Sequence, residues 1–96
     1  MKLGRISGTV VSTIQHPSLD GHQLRVVDLL DVSGVSAGGY VIAVDSIGAS
    51  HGQTVLVLDE GSSARQVMDD PNAPVRAIVV GIVDEVRMDG TDFDLT

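Results

Sequence analysis

Ninety-six residues suffice for one domain, not two, and at that size a hydrophobic core outweighs chain entropy by only a modest margin. A net charge of −7, with 6 Lys and Arg against 13 Asp and Glu, argues against nucleic acid or an anionic membrane as partner. There is no cysteine to staple the fold, and no apolar run nears the about 20 residues of a membrane-spanning helix.

The apolar 43% is mostly Val, Ile, Leu and Ala, with Tyr40 and Phe93 the only aromatics. That leaves aliphatic surface which association with other copies would cover. The opening Met1-Lys2-Leu3-Gly4-Arg5 leads into alternating polar residues rather than a signal-peptide stretch, so the chain is expected to stay where it is made. The alternation of Ile6, Gly8 and Val10 with Ser7, Thr9 and Val11 predicts a first strand from Lys2 to Ser12. Gln15 to Gly21 reads as a loop, because Pro17 fixes φ and Asp20-Gly21 is a turn signal.

Leu24 to Val32 is the second predicted strand, and its apolar parity changes between Val26 and Val27, which suggests a β-bulge or a strong bend. Ser33-Gly34 and Gly38-Gly39 bound a turn; strands follow at Tyr40 to Val44 and Thr54 to Leu58. Ser62 or Ser63 caps a short helix reaching Met68, stopped by Asp69-Asp70-Pro71-Asn72. Val75 to Arg87 is the last and longest strand, bent at Gly81, and Asp89 to Thr96 is a polar, acidic tail, mobile or a partner contact. Five strands and one short helix suggest a mostly β domain, 1–96, with a core over 1–88 and a tail over 89–96. The strand pattern alone allows either a small barrel or a sandwich.

No catalytic set assembles. His16, His22 and His51 lie far apart in turns, and a metal site made from them with Asp20 or Asp45 is disfavoured against solvated histidines. There is no Gly-x-Ser-x-Gly elbow, and Gly61-Ser62-Ser63-Ala64-Arg65 lacks the Walker spacing and lysine, so it reads as a helix cap with a structural arginine. Asp84-Glu85 would point to opposite faces of a strand, and Asp59-Glu60 and Asp69-Asp70 read as turns. Two aromatics and an acidic surface also disfavour single-strand binding, which uses stacking platforms and a basic groove. Neither cofactor nor metal is expected.

Several segments in order resemble one family. They are Gly8-Thr9-Val10-Val11-Ser12-Thr13, Leu19-Asp20-Gly21-His22-Gln23-Leu24, Val44-Asp45-Ser46-Ile47-Gly48-Ala49, Gly61-Ser62-Ser63-Ala64-Arg65, and Pro74 to Asp84. Together they resemble the EutN/CcmL-type pentameric vertex proteins of bacterial microcompartment shells. Gln23 stands where a lysine is common, Arg76 where an acid is common, and Gln53 replaces a frequent acid. The resemblance implies a five-stranded OB-like barrel with one short helix, assembling as a cyclic pentamer. It implies a non-catalytic role in the cytoplasm, capping the corners of a carboxysome or metabolosome shell beside hexameric shell proteins. Gly61, Ser62, Ser63, Ala64 and Arg65 would lie at a subunit interface or near the axis. Alternatives are a pentameric pore for small metabolites, an OB-like module for a ligand or nucleic acid, and a small hydrolase acting through Ser62 or Ser63.

Overall fold

A computed structural model of the chain describes residues 1–11, 17–19, 21–59, 67 and 76–96. Its strands are β1 (Lys2–Val10), β2 (Gln23–Leu30), β3 (Ser36–Asp45), β4 (Thr54–Leu58), β5 (Ile78–Ile82), β6 (Glu85–Met88) and β7 (Thr91–Asp94). The first five close into a barrel in the order β1-β2-β3-β5-β4, with β1 pairing antiparallel to both β2 and β4. Strands β6 and β7 form a separate two-stranded sheet.

The barrel is narrow, and its residues are chosen for that. Ile6, Val27, Ala43, Ala49, Val55, Val57, Ala77 and Val79 form one buried cluster, with Val41 packed against it. Cross-strand pairs such as Ile6 with Val27, Val27 with Val41, and Val57 with Val79 place these side chains on the inner face. Gly4 faces the same space, and a Cβ there would collide with Cγ1 of Val27 and sit 3.0 Å from the Asp28 carbonyl oxygen. A second cluster lies on the outer face, where Val44 and Ile78 are buried by Leu19, Leu24, Leu58 and Val80. Leu19 is brought there by a 3-10 turn over Pro17–Leu19.

Several sequence expectations are corrected. The bulge falls on β1, not β2: Ile6 pairs with Val27 and Gly8 with Val26, so Ser7 is the extra residue. The parity change at Val26-Val27 has another cause, namely that β2 is apolar on both faces, with Val27 inside the barrel and Leu24 under the outer cluster. Gly38 and Gly39 lie within β3 rather than in a turn, both with φ of 81°, and form a bulge opposite Leu29. The turn closes earlier, where the Asp31 carboxylate accepts hydrogen bonds from the Ser33 and Val35 backbone N–H groups at 2.9 and 3.2 Å. The expected strand from Val75 to Arg87 is two strands, β5 and β6. Asp89 to Gly90 is a tight turn between β6 and β7, both residues having positive φ as a type I′ turn requires. Beyond β7 the chain folds back: Leu95 is buried, and its carbonyl accepts a 2.8 Å bond from the Thr54 hydroxyl. Apart from Val67, the expected helix from Ser62 or Ser63 to Met68 lies outside the described residues.

The crowding at Gly4 gives a clear expectation. Gly4→Ala should cost about 1–3 kcal/mol of unfolding free energy, measured by denaturant titration. Adding Val27→Ala to it should return part of that loss, because the Cγ1 collision goes and the carbonyl contact stays.

Candidate functional site

Polar chemistry is concentrated at two places on the barrel. The first closes one end. Arg25 and Asp45 stand diagonally across the β2–β3 ladder, two residues out of direct register. The Arg25 Nε donates to Asp45 Oδ2 at 3.3 Å, with side-chain exposures of 13% and 1%. Arg25 also donates to the Thr9 hydroxyl at 2.8 Å and to the Ala49 carbonyl at 2.7 Å. The other Asp45 oxygen accepts from the backbone N–H groups of Ile47 and Gly48 at 3.1 and 2.9 Å. Both ions are thus hydrogen-bonded, the condition under which a buried pair is tolerated. The network pins the loop from Ser46 to Gly52, and the Ser46 hydroxyl adds a 2.6 Å bond to the Val79 carbonyl.

The second place is the end of β4. Asp59 accepts from Lys2 Nζ at 3.0 Å and from Arg76 Nε at 3.3 Å, joining the starts of β1 and β5 to the end of β4. The Lys2 hydrogen bond holds the Asp59 carboxyl below its ordinary value of 3.8; partial burial opposes this, and the Lys2 and Arg76 charges add to it.

Neither place is built for catalysis. Arg25 and Asp45 spend their polar atoms on each other and on the backbone. The histidines do not converge: His51 Nε2 lies 3.2 Å from the Ser7 carbonyl, a structural bond to the bulge, while His22 is exposed after the 3-10 turn. His16 and Asp20 lie outside the described residues. Among the described residues no group of three His, Asp or Glu could hold a metal ion. Glu85 pairs with Arg87 at 2.7 Å rather than with Asp84. A cavity of about 160 Å³ is edged by Gln53, Thr54, Ile82, Asp84 and Thr96; its two hydroxyls are engaged, that of Thr54 with the Leu95 carbonyl and that of Thr96 with the Asp94 carboxylate. Gly61, Ser62, Ser63, Ala64 and Arg65, like Glu60, Asp69 and Asp70, lie outside the described residues.

What the surface does offer is aliphatic. Val32, Val35, Tyr40, Ile42, Ile47, Ile82 and Met88 are all exposed. Sequence reasoning missed the two ionic clamps, although one signal was available: Arg25 is the only cation in β2, and Asp45 ends the strand beside it.

Comparison with known proteins bears on this arrangement. The family model "Ethanolamine utilisation protein EutN/carboxysome" matches residues 1–84. The carboxysome shell vertex protein CcmL of Gloeobacter violaceus is 40% identical over 89 residues, 93% of this chain and 88% of that protein. The bacterial microcompartment shell vertex protein EutN of Salmonella typhimurium is 42% identical over 90 residues, 94% of this chain and 90% of that protein. Among solved structures, the GrpN pentameric microcompartment shell protein from Rhodospirillum rubrum superposes with a TM-score of 0.81 at 43% identity, covering 92% of this chain and 99% of that one.

Two outcomes follow from the clamps. Asp45→Ala should destabilise the fold by about 3–5 kcal/mol, because it strands the Arg25 charge and two backbone donors; thermal and denaturant unfolding would read this. Asp59 has a lowered folded pKa, so its contribution is present above pH 3.8 and fades as pH falls through the lower, folded value. Asp59→Asn should therefore lower the melting temperature at neutral pH, and the gap from the parent should shrink as the pH drops below 3.8.

Proposed function

The chain belongs to the EutN/CcmL family, and from that premise we propose that it forms a homopentamer closing a corner of a bacterial microcompartment shell. It is a structural shell vertex protein, not an enzyme, and its place is the shell within the bacterial cytoplasm. The observation that carries the pentamer is the likeness, over nearly the whole chain, to a relative described as pentameric. The physical role is geometric. Flat hexagonal tiles cannot close a polyhedron, and a five-membered unit at each corner supplies the curvature. The rim of the ring would then meet hexameric shell proteins. Neither nucleic acid nor a membrane is part of this reading, in keeping with the net charge of −7.

The proposal treats residues 1–96 as one vertex domain. An OB-like description of the barrel is supported by the strand order β1-β2-β3-β5-β4 with β1 closing onto β4. The reading keeps one short helix between β4 and β5, supported by the serine cap signal at Ser62 or Ser63. It also assigns Gly61, Ser62, Ser63, Ala64 and Arg65 to a subunit interface or to the neighbourhood of the ring axis. Two things support that assignment: the unaltered match to the family's Gly-Ser-Ser-Ala-Arg run, and its position just after Asp59, whose two ion pairs anchor that end of β4.

Native mass spectrometry at moderate salt should give five times the 10.0 kDa of the monomer. A monomer or dimer at micromolar concentration, with no recovery of the ring on coexpression with a hexameric shell protein, would sink the reading. Arg65→Ala should weaken the pentamer by roughly tenfold or more in concentration, since a planar guanidinium binds a carboxylate through two bonds. Unchanged mass and melting temperature in that variant would remove Arg65 from the interface.

A further inference from the structure

Strands β6 and β7 form an arm that adds little to the barrel's core. None of the residues from Ile82 to Asp94 is buried. The inner core cluster contains no residue of the arm. The arm's side-chain bonds are its own: Arg87 donates to Glu85 at 2.7 Å, and the Thr96 hydroxyl donates to Asp94 at 2.6 Å. Among the described residues the arm shares a sheet with none of the five barrel strands. A lone two-stranded hairpin is marginal in water. What holds this one in place therefore lies at its two ends.

Both ends meet at one residue. Thr54 opens β4 and is 2% exposed. Its carbonyl accepts from the Val83 N–H at 2.9 Å, where the chain leaves the barrel for the arm. Its hydroxyl donates to the Leu95 carbonyl at 2.8 Å, where the chain returns. The Leu95 N–H donates to the Asp84 carbonyl at 2.9 Å and ties the two ends to each other. Leu95 is the one buried side chain beyond β5. It abuts the turn between β2 and β3, where a Cβ at Gly34 would lie 2.7 Å from Leu95 Cδ2. That turn is braced by the Asp31 carboxylate, which accepts from the Ser33 and Val35 N–H groups. The leucine thus rests against a fixed wall.

We propose that β6–β7 is an arm hinged at Val83-Asp84 and held by a clasp, with Thr54 as the catch and Leu95 as the bolt, so that the arm detaches while the barrel stays folded. Hinges are short segments between elements that absorb the backbone change. Val83 and Asp84 belong to no strand. The Val83 bond to Thr54 is the pivot, and the Leu95 bond to Thr54 is the one released. The root of the arm has room to move, since the cavity of about 160 Å³ lies among Gln53, Ile82, Asp84 and Thr96. Opening gives up one hydrogen bond and the burial of one leucine. Segments with so few buried apolar contacts open below the free energy of global unfolding. Every part of the clasp comes from one chain, so it is independent of the ring.

Native-state hydrogen exchange on the full chain tests this, with mass read on every sample. In the parent, amides of Glu85–Met88 and Thr91–Asp94 should exchange roughly tenfold or more faster than those of β2 and β4. Leu95→Ala should speed the arm amides by a further factor of roughly ten or more. Thr54→Val, which loses the hydroxyl, should speed them roughly threefold to tenfold, and Thr54→Ser, which keeps it, should leave them near the parent. Gly4→Ala, which crowds the barrel, should speed the barrel amides and leave the arm amides unchanged. Arm and barrel amides that exchange alike in the parent, or an arm that speeds up together with the barrel in Gly4→Ala, would mean one cooperative unit and overturn the inference. A Leu95→Ala chain that does not fold, or a Thr54→Val arm that exchanges like the parent's, overturns it as well. So does an arm that speeds up only in samples whose mass has changed, because a neighbour and not the clasp would then be holding it.

Discussion

The Arg25–Asp45 pair is the interaction on which the rest of this barrel depends. The barrel is filled by Ile6 and by small Val and Ala side chains, and its end is closed by a charged pair braced by Thr9, Ala49 and two backbone N–H groups. Such a pair adds little net stability against an apolar substitute. What it adds is position. The diagonal contact holds β2 against β3 at one register, and a slip by one residue would separate the two charges. The same carboxylate dictates the path of the chain into β4. That path in turn fixes where Thr54 meets Leu95 and where the β6–β7 hairpin leaves the barrel.

Much of this was legible in the sequence, and the failures share a physical cause. Alternation found β1, expected from Lys2 to Ser12 and observed over Lys2–Val10, and β4 lies where it was expected, over Thr54–Leu58. Alternation misjudged β2 because a strand between an inner and an outer apolar cluster has no polar face to mark its phase. Gly38-Gly39 looked like a turn because glycine pairs usually are; in fact positive φ was needed for a bulge within a strand. The acidic composition of residues 89–96 hid a hairpin with only three apolar residues on one face, Val86, Met88 and Phe93, shared between two strands. Of the candidate site, Asp45 was considered as a metal ligand and disfavoured, Asp59 was read as part of a turn, and Arg76 was noted only as a departure from the family pattern. The partner of Asp45, Arg25, lies 20 positions away, beyond any local pattern.

A structural shell subunit shows its function differently from an enzyme. Among the described residues there is no concentration of perturbed groups in a cleft, and the best-buried polar residues, Arg25 and Asp45, are engaged in holding strands and backbone. The functional information resides instead in what the fold leaves uncovered, such as the exposed side chains of Val35, Tyr40, Ile42, Ile82 and Met88. Composition already pointed that way. With almost no aromatics, this chain must gain its buried area by adding copies rather than by enlarging one core.

The double pairing of β1 also has a temporal side. Lys2 pairs with Val57, so the first strand made has to wait for the fourth before its second edge is covered. Ribosomes add about 5–20 residues per second, which makes that wait several seconds long. During it, β1, β2 and β3 can form only an open ladder. Closure is a late, long-range event of the kind that makes small β-barrels fold in milliseconds to seconds rather than microseconds. Incomplete chains released from the ribosome would therefore expose Val- and Ile-rich edges, and shell assembly inherits a supply of subunits metered by the completion of β5, which joins β3 to β4.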